Sequence, residues 1–152
     1  MEPKIATRPA FKVIGMKYHG TAQENEIPQL WVNFMGRQDE IQHRVDTLLS
    51  YGVTTSFDFV SREFDYIACI PVEEIAEIPD GMVGIEIPEG TYAEFTTTIP
   101  TMMESYKYAN DKWLPQSGYV RDYRPEFEEY PGEFNPDDPE SRFRFYVPIK
   151  KV

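Results

Sequence analysis

The chain has 152 residues and a formal net charge of −11, room for one domain with a core but without the basic face that phosphate contacts need. Its single cysteine, Cys69, excludes an intramolecular disulfide framework, and its two histidines, His19 and His43, sit in no metal-ligand spacing. No apolar run is long enough to span a bilayer and no signal-like segment opens the chain. The expectation is therefore a cytoplasmic domain with no metal, no cofactor, no nucleic-acid contact and no membrane partner.

Aromatic residues reach 14%, with 10 Tyr among them, and tyrosine suits a pocket that is apolar yet hydrogen-bonding. In chain order, residues 11–18 alternate as a first strand, ended by His19-Gly20. Ile27-Pro28 opens a helix whose apolar face is Leu30, Trp31, Phe34 and Met35. Gly36 interrupts it, and a second helical piece is expected over residues 38–49, stopped by Tyr51-Gly52. Residues 54–60 and 64–70 read as a hairpin around a turn at 61–63, with Cys69 as a buried structural thiol in the second strand. An irregular acidic stretch over 71–81 follows, turning at Pro79-Asp80-Gly81.

The pattern then recurs. Residues 90–97 form a strand, Ile99-Pro100 opens a helix towards Trp113, and residues 127–130 and 142–149 read as two strands. The β-α-β-β order thus occurs twice, in pseudo-repeats about 8–75 and 82–152, with coincidence as the competing explanation. Two such units give an α+β fold: an antiparallel sheet, helices packed on one side, and a central ligand groove where the halves meet.

The candidate chemistry sits on the strand at 127–130. Glu128 and Tyr130 alternate and so share a face, pairing a full negative charge with an aromatic ring that can attract a cation. By themselves these residues equally describe an ordinary solvated strand face. Trp31 and Trp113 read as core packing on helical faces, and Arg142 and Arg144 as solvated or paired with Glu126 or Glu129. The acidic loop over 133–140 lacks the calcium-loop spacing and reads as surface.

Four segments carry a resemblance to a family. They are Gly90-Thr91-Tyr92-Ala93-Glu94-Phe95, Trp113 through Ser117-Gly118-Tyr119, Phe127-Glu128-Glu129-Tyr130, and Tyr146-Val147-Pro148-Ile149-Lys150. In this order and spacing they resemble the GyrI-like small-molecule-binding domain, the effector-binding fold of AraC-type and MerR-type regulators. Phe11-Lys12-Val13-Ile14-Gly15 is similar to the family's opening strand. The resemblance implies a groove for bulky aromatic, often cationic compounds, with the pocket acid at Glu128. It implies aromatic walls at Tyr130 and Tyr146, with Tyr92, Trp113, Tyr66 and Trp31 as further members. With its first strand close to Met1, the chain resembles stand-alone members rather than regulators with a preceding helix-turn-helix.

Three functions follow from the resemblance. The first is binding of an amphipathic cationic or aromatic compound at Glu128. The second is hydrolysis of cyclopropanoid natural products, with Glu128 as general base beside Tyr130. The third is a protein–protein inhibitor of a larger enzyme such as gyrase. The first two share one pocket, because a poorly solvated carboxylate suits either a delocalised counter-cation or a base of raised pKa. On this reading Glu128 lies at the floor of the largest groove, within reach of a tyrosine hydroxyl.

Overall fold

The computed structural model describes residues 2–152. Its strands are β1 (Lys4–Arg8), β2 (Phe11–Gly20), β3 (Ser50–Phe57), β4 (Phe64–Val72), β5 (Val83–Ile87), β6 (Gly90–Thr98), β7 (Tyr119–Arg121), β8 (Glu126–Tyr130) and β9 (Arg142–Lys151). Eight of them pair antiparallel in the order β1-β6-β9-β8-β3-β4-β2-β5, and β7 adds to β9. From the central β8/β3 pair outward the order is matched on both sides: β9, β6, β1 on one, and β4, β2, β5 on the other. The architecture is α+β, with an antiparallel sheet.

Helix α1 (Glu26–Met35) covers β2 and β4 with Leu30 and Phe34. Helix α2 (Met102–Tyr108) runs on through a π-helical turn, Ala109–Trp113, and buries Ala109 and Trp113 against β6 and β9. Pro28 lies in the first turn of α1, and Pro100 in the turn just before α2. The helix-bearing face of the sheet therefore carries two separate apolar clusters, one under each helix. The opposite face carries one continuous core that includes Val13, Val53, Ile67, Ile87, Tyr92 and Phe127. Strands near both ends of the order contribute to it, so the sheet curls around this core.

Several elements differ from the sequence reading. Residues 38–49 form only a 3₁₀ turn, Gln38–Glu40, followed by irregular chain. Ile41 is buried but Leu48 is 82% exposed, so the segment lacks an apolar stripe at helical spacing to hold a helix against the sheet. His43 adopts a left-handed φ of 59°, and Val45 N–H donates to Pro71 C=O at 3.1 Å. The segment thus lines the end of β4. The first hairpin strand begins at Ser50 and stops at Phe57, because Asp58 Oδ1 accepts from the backbone N–H groups of Val60 and Ser61 and closes the turn early. Strands β1, β5 and β7 are additional to the expected set.

Candidate functional site

The gap between the two helical covers lies over β3 and β8. There Glu128 pairs with Gly52 across the strands and with Phe145 on its other side. Directly opposed residues share a sheet face, so Glu128, Gly52 and Phe145 all point to the helix-bearing side. Tyr66 of β4 sits on the same face, one strand further out, opposite Thr54. Its ring reaches back over Gly52 to the carboxylate. A Cβ at Gly52 would lie 1.9 Å from the Tyr66 hydroxyl oxygen and 2.7 Å from Glu128 Oε1, so glycine is what allows the two to meet.

Three phenols donate to this one carboxylate. Tyr130 donates to Oε1 at 2.7 Å and Tyr66 to the same oxygen at 2.9 Å, while Tyr106 donates to Oε2 at 3.0 Å. Trp31 Nε1–H donates to the Tyr66 hydroxyl at 3.1 Å, and the Trp31 ring meets the Tyr130 ring edge-on at 5.4 Å between centroids. Phe143 stacks on Tyr130 at 4.8 Å and Phe145 lies under Tyr106 at 4.2 Å. The first half of the chain supplies Trp31, Gly52 and Tyr66, and the second half supplies Tyr106, Glu128 and Tyr130.

The electrostatics follow from the burial. Loss of hydration pushes the Glu128 carboxyl above the usual carboxylate range. Hydrogen bonds from Tyr130, Tyr66 and Tyr106 pull it back, and the charge of Glu126 adds to the rise. Burial, then the Glu128 charge, hold the phenols of Tyr66, Tyr106 and Tyr130 well above their ordinary range, so they remain neutral donors. Among the described residues, none of the ion pairs involves Glu128.

The neighbouring carboxylate is treated differently. Glu129 points to the other face, where it is 6% exposed. Tyr51 donates to its Oε2 at 2.8 Å, Arg8 lies 3.2 Å from the same oxygen, and Arg144 lies 3.4 Å from Oε1. The Arg8 guanidinium also stands over the Tyr146 ring, 4.8 Å from its centroid. This is a complete cation site occupied by the protein's own arginine.

The sequence-predicted residues thus separate into two groups. Trp31, Tyr66 and Tyr130 gather around Glu128. Tyr146 lines the same concavity, but it pairs with Phe127 and its hydroxyl lies on the opposite face, 2.8 Å from Glu94 and 3.3 Å from Glu129. Tyr92 is also on that face, packed edge-on against Phe127 at 5.2 Å. Trp113 is core beneath the π-helical turn, 5.7 Å from Phe95 and 6.3 Å from Tyr119. Sequence reasoning missed Tyr106, Gly52 and the whole Glu129 site. The concavity at Glu128 has a volume of about 10 Å³ and is smaller than one of about 200 Å³ beside Glu40, Gln42 and residues 77–79, which has no comparable convergence of donors. The expectation that Glu128 floors the largest groove is therefore corrected. No helix among the described residues is long and apolar enough to cross a membrane.

Comparison with known proteins identifies the family. The Cass2 family, described as integron-associated effector binding protein, matches residues 4–149. The transcriptional regulator BrlR of Pseudomonas aeruginosa is 37% identical over 152 residues, covering 98% of this chain and 56% of BrlR. The chain therefore spans about half the length of that relative. Among solved structures, SAV2435 bound to tetraphenylphosphonium superposes with a TM-score of 0.75 at 14% identity, covering 99% of this chain and 94% of SAV2435. The integron cassette protein VCH_CASS2 of Vibrio cholerae superposes with a TM-score of 0.63 at 16% identity, covering 98% and 96%. These two likenesses concern the fold. By its family match and its 37% identity to BrlR, the chain belongs to the Cass2 integron-associated effector-binding proteins, small-molecule effector-binding domains of the GyrI-like type.

Proposed function

We propose that this domain binds bulky, amphipathic organic cations, with Glu128 as the counter-charge and Trp31, Tyr66, Tyr106 and Tyr130 as the aromatic walls. The observation that carries the reading is the contrast along β8. Glu129 has Arg8 as its partner, whereas Glu128 has three neutral phenols and, among the described residues, no cation. Charge-assisted hydrogen bonds contribute about 1.5–3 kcal/mol each, yet burial still leaves the Glu128 carboxyl raised. A carboxylate in that state gains most from a cation that sheds its own water easily. Delocalised organic cations do so, and each ring beneath one adds about 0.5–2 kcal/mol. Tetraphenylphosphonium, the ligand of the similarly folded SAV2435, is such a cation.

The concavity at Glu128, with a volume of about 10 Å³, lies far below the roughly 300–1,000 Å³ of drug-sized sites. Entry of a ring-bearing cation therefore requires the partly exposed rings of Trp31, Tyr106 and Tyr130 to swing aside. The phenols hold the carboxylate in the meantime, and the ligand takes their place. Calorimetric titration of tetraphenylphosphonium into the wild type and into Glu128→Gln tests the reading. Binding lost or weakened at least tenfold in the variant supports it, and equal binding overturns it.

A further inference from the structure

A second carboxylate lines the same concavity. Glu126 lies two residues before Glu128 on the same face of β8, about 7 Å away along the strand. Its charge is already matched, because Arg121 Nη1 of β7 sits 2.6 Å from Glu126 Oε2. The same guanidinium donates through Nη2 to Asn110 Oδ1, and Asn110 Nδ2–H donates to the Tyr106 carbonyl at 2.9 Å. Arg121 is thereby tied to the π-helical turn that follows Tyr106. The two charged side chains are 30% and 34% exposed, so both remain at the rim, where a ligand would feel them.

We propose that Arg121 is a specificity-determining residue: by neutralising Glu126 it leaves the groove one net negative charge, at Glu128, and so selects singly charged organic cations over doubly charged ones of the same shape. The inference rests on the reading of Glu128 as the counter-charge. The charge count is direct, since Tyr66, Tyr106 and Tyr130 are neutral and Arg121 cancels Glu126. A ligand carrying a second charge at its far end meets a satisfied ion pair and a like-charged guanidinium. Without Arg121 the face would present two carboxylates about two strand positions apart, a spacing that suits a cation charged at both ends. Asn110 fixes the guanidinium against Glu126, which keeps it from folding over Glu128 itself.

The test uses two ions on one two-ring frame, the monocation N-methyl-4-phenylpyridinium and the dication N,N′-dimethyl-4,4′-bipyridinium. Each is titrated against the full chain as wild type, Arg121→Gln, Arg121→Lys and Glu126→Gln. The affinity ratio of dication to monocation is expected to rise about tenfold in Arg121→Gln, the scale of one partly solvated charge interaction. It should stay within about threefold of wild type in Arg121→Lys, which keeps the charge, and fall in Glu126→Gln, which leaves the guanidinium unmatched. A merely structural role for Arg121 would move both Arg121 variants together. An unchanged ratio in Arg121→Gln, or an equal rise in Arg121→Lys, overturns the inference while leaving Glu128 as the counter-charge. Should Arg121→Gln fail to fold, an unchanged ratio in Glu126→Gln overturns it equally. If the wild type binds neither ion, the reading of Glu128 and the inference built on it both fall.

Discussion

Glu128 and Glu129 are consecutive residues of β8 whose carboxylates face opposite sides of the sheet, and among the described residues only Glu129 meets a cation. Tyr51 and Arg8 complete the Glu129 site, at 2.8 and 3.2 Å. The Glu128 site has the phenols without the guanidinium. One strand thus carries a structural ion site and, beside it, a carboxylate held by phenols; on the function proposed above, a ligand supplies the cation there.

The raised Glu128 carboxyl makes a prediction about stability. Folding holds the charged form in a poorly hydrated site, so the native state binds its proton more tightly than the unfolded chain does. The stability this contributes is present below the ordinary carboxyl value of 4.5 and is lost as pH rises through the higher native value. Glu128→Gln should therefore melt above the wild type at pH 7 to 8, with the difference closing towards pH 4. Each unit of native shift is worth about 1.4 kcal/mol, or about 3–6 °C for a chain of this size. Thermal melts of both proteins across that pH range check it; a wild type more stable than the variant at pH 8 would contradict it.

Gly52 carries the site sterically. A methyl group there would press on the Tyr66 hydroxyl and on Glu128 Oε1, so Gly52→Ala should displace Tyr66 from the carboxylate. We expect a loss of about 1–3 kcal/mol in stability together with weaker cation binding. Chemical denaturation and titration of one preparation measure both. Retained cation affinity at unchanged stability would mean that the close approach of Tyr66 is unimportant.

The Glu129 site should behave as structure alone. Arg8→Ala leaves a buried carboxylate with only Tyr51, Tyr146 and the half-exposed Arg144 around it. The loss should be about 1–3 kcal/mol, below the 3–5 kcal/mol of a fully buried pair because Arg8 is partly exposed. Cation affinity, measured well below the melting temperature, should hold within about threefold, a shift of under 1 kcal/mol. A large loss of affinity without a loss of stability would place the ligand on the wrong face.

Much of this was legible in the chain itself. The alternation of Glu128 and Tyr130 put both on one face, and the recurring strand-helix-strand-strand order anticipated the antiparallel α+β sheet. Register is not legible in the same way. β9 pairs Phe145 with Glu128 and Tyr146 with Phe127, and a shift of one residue moves a side chain to the other face. Nothing local in either strand specifies that offset. Tyr106 was missed for a related reason. Tyr106 and Tyr108 lie two apart on one helix, on different faces, and only packing against Phe145 decides which one meets the sheet. The short strand β1 carries Lys4, Thr7 and Arg8 with little apolar pattern, so neither the strand nor the partner of Glu129 could be read.

On the proposed function, Glu128 recognises charge rather than shape. The most direct measurement is the affinity of a cation and a neutral compound of similar bulk, tetraphenylphosphonium and triphenylphosphine oxide, for wild type and Glu128→Gln at pH 5 and pH 8. Cation affinity should rise with pH in the wild type as the carboxyl ionises. In the variant it should drop by roughly 1.5–3 kcal/mol, about tenfold or more, and lose its pH dependence. The neutral compound should bind both proteins alike at both pH values. Equal cation affinity for the two proteins at pH 8 would contradict the account.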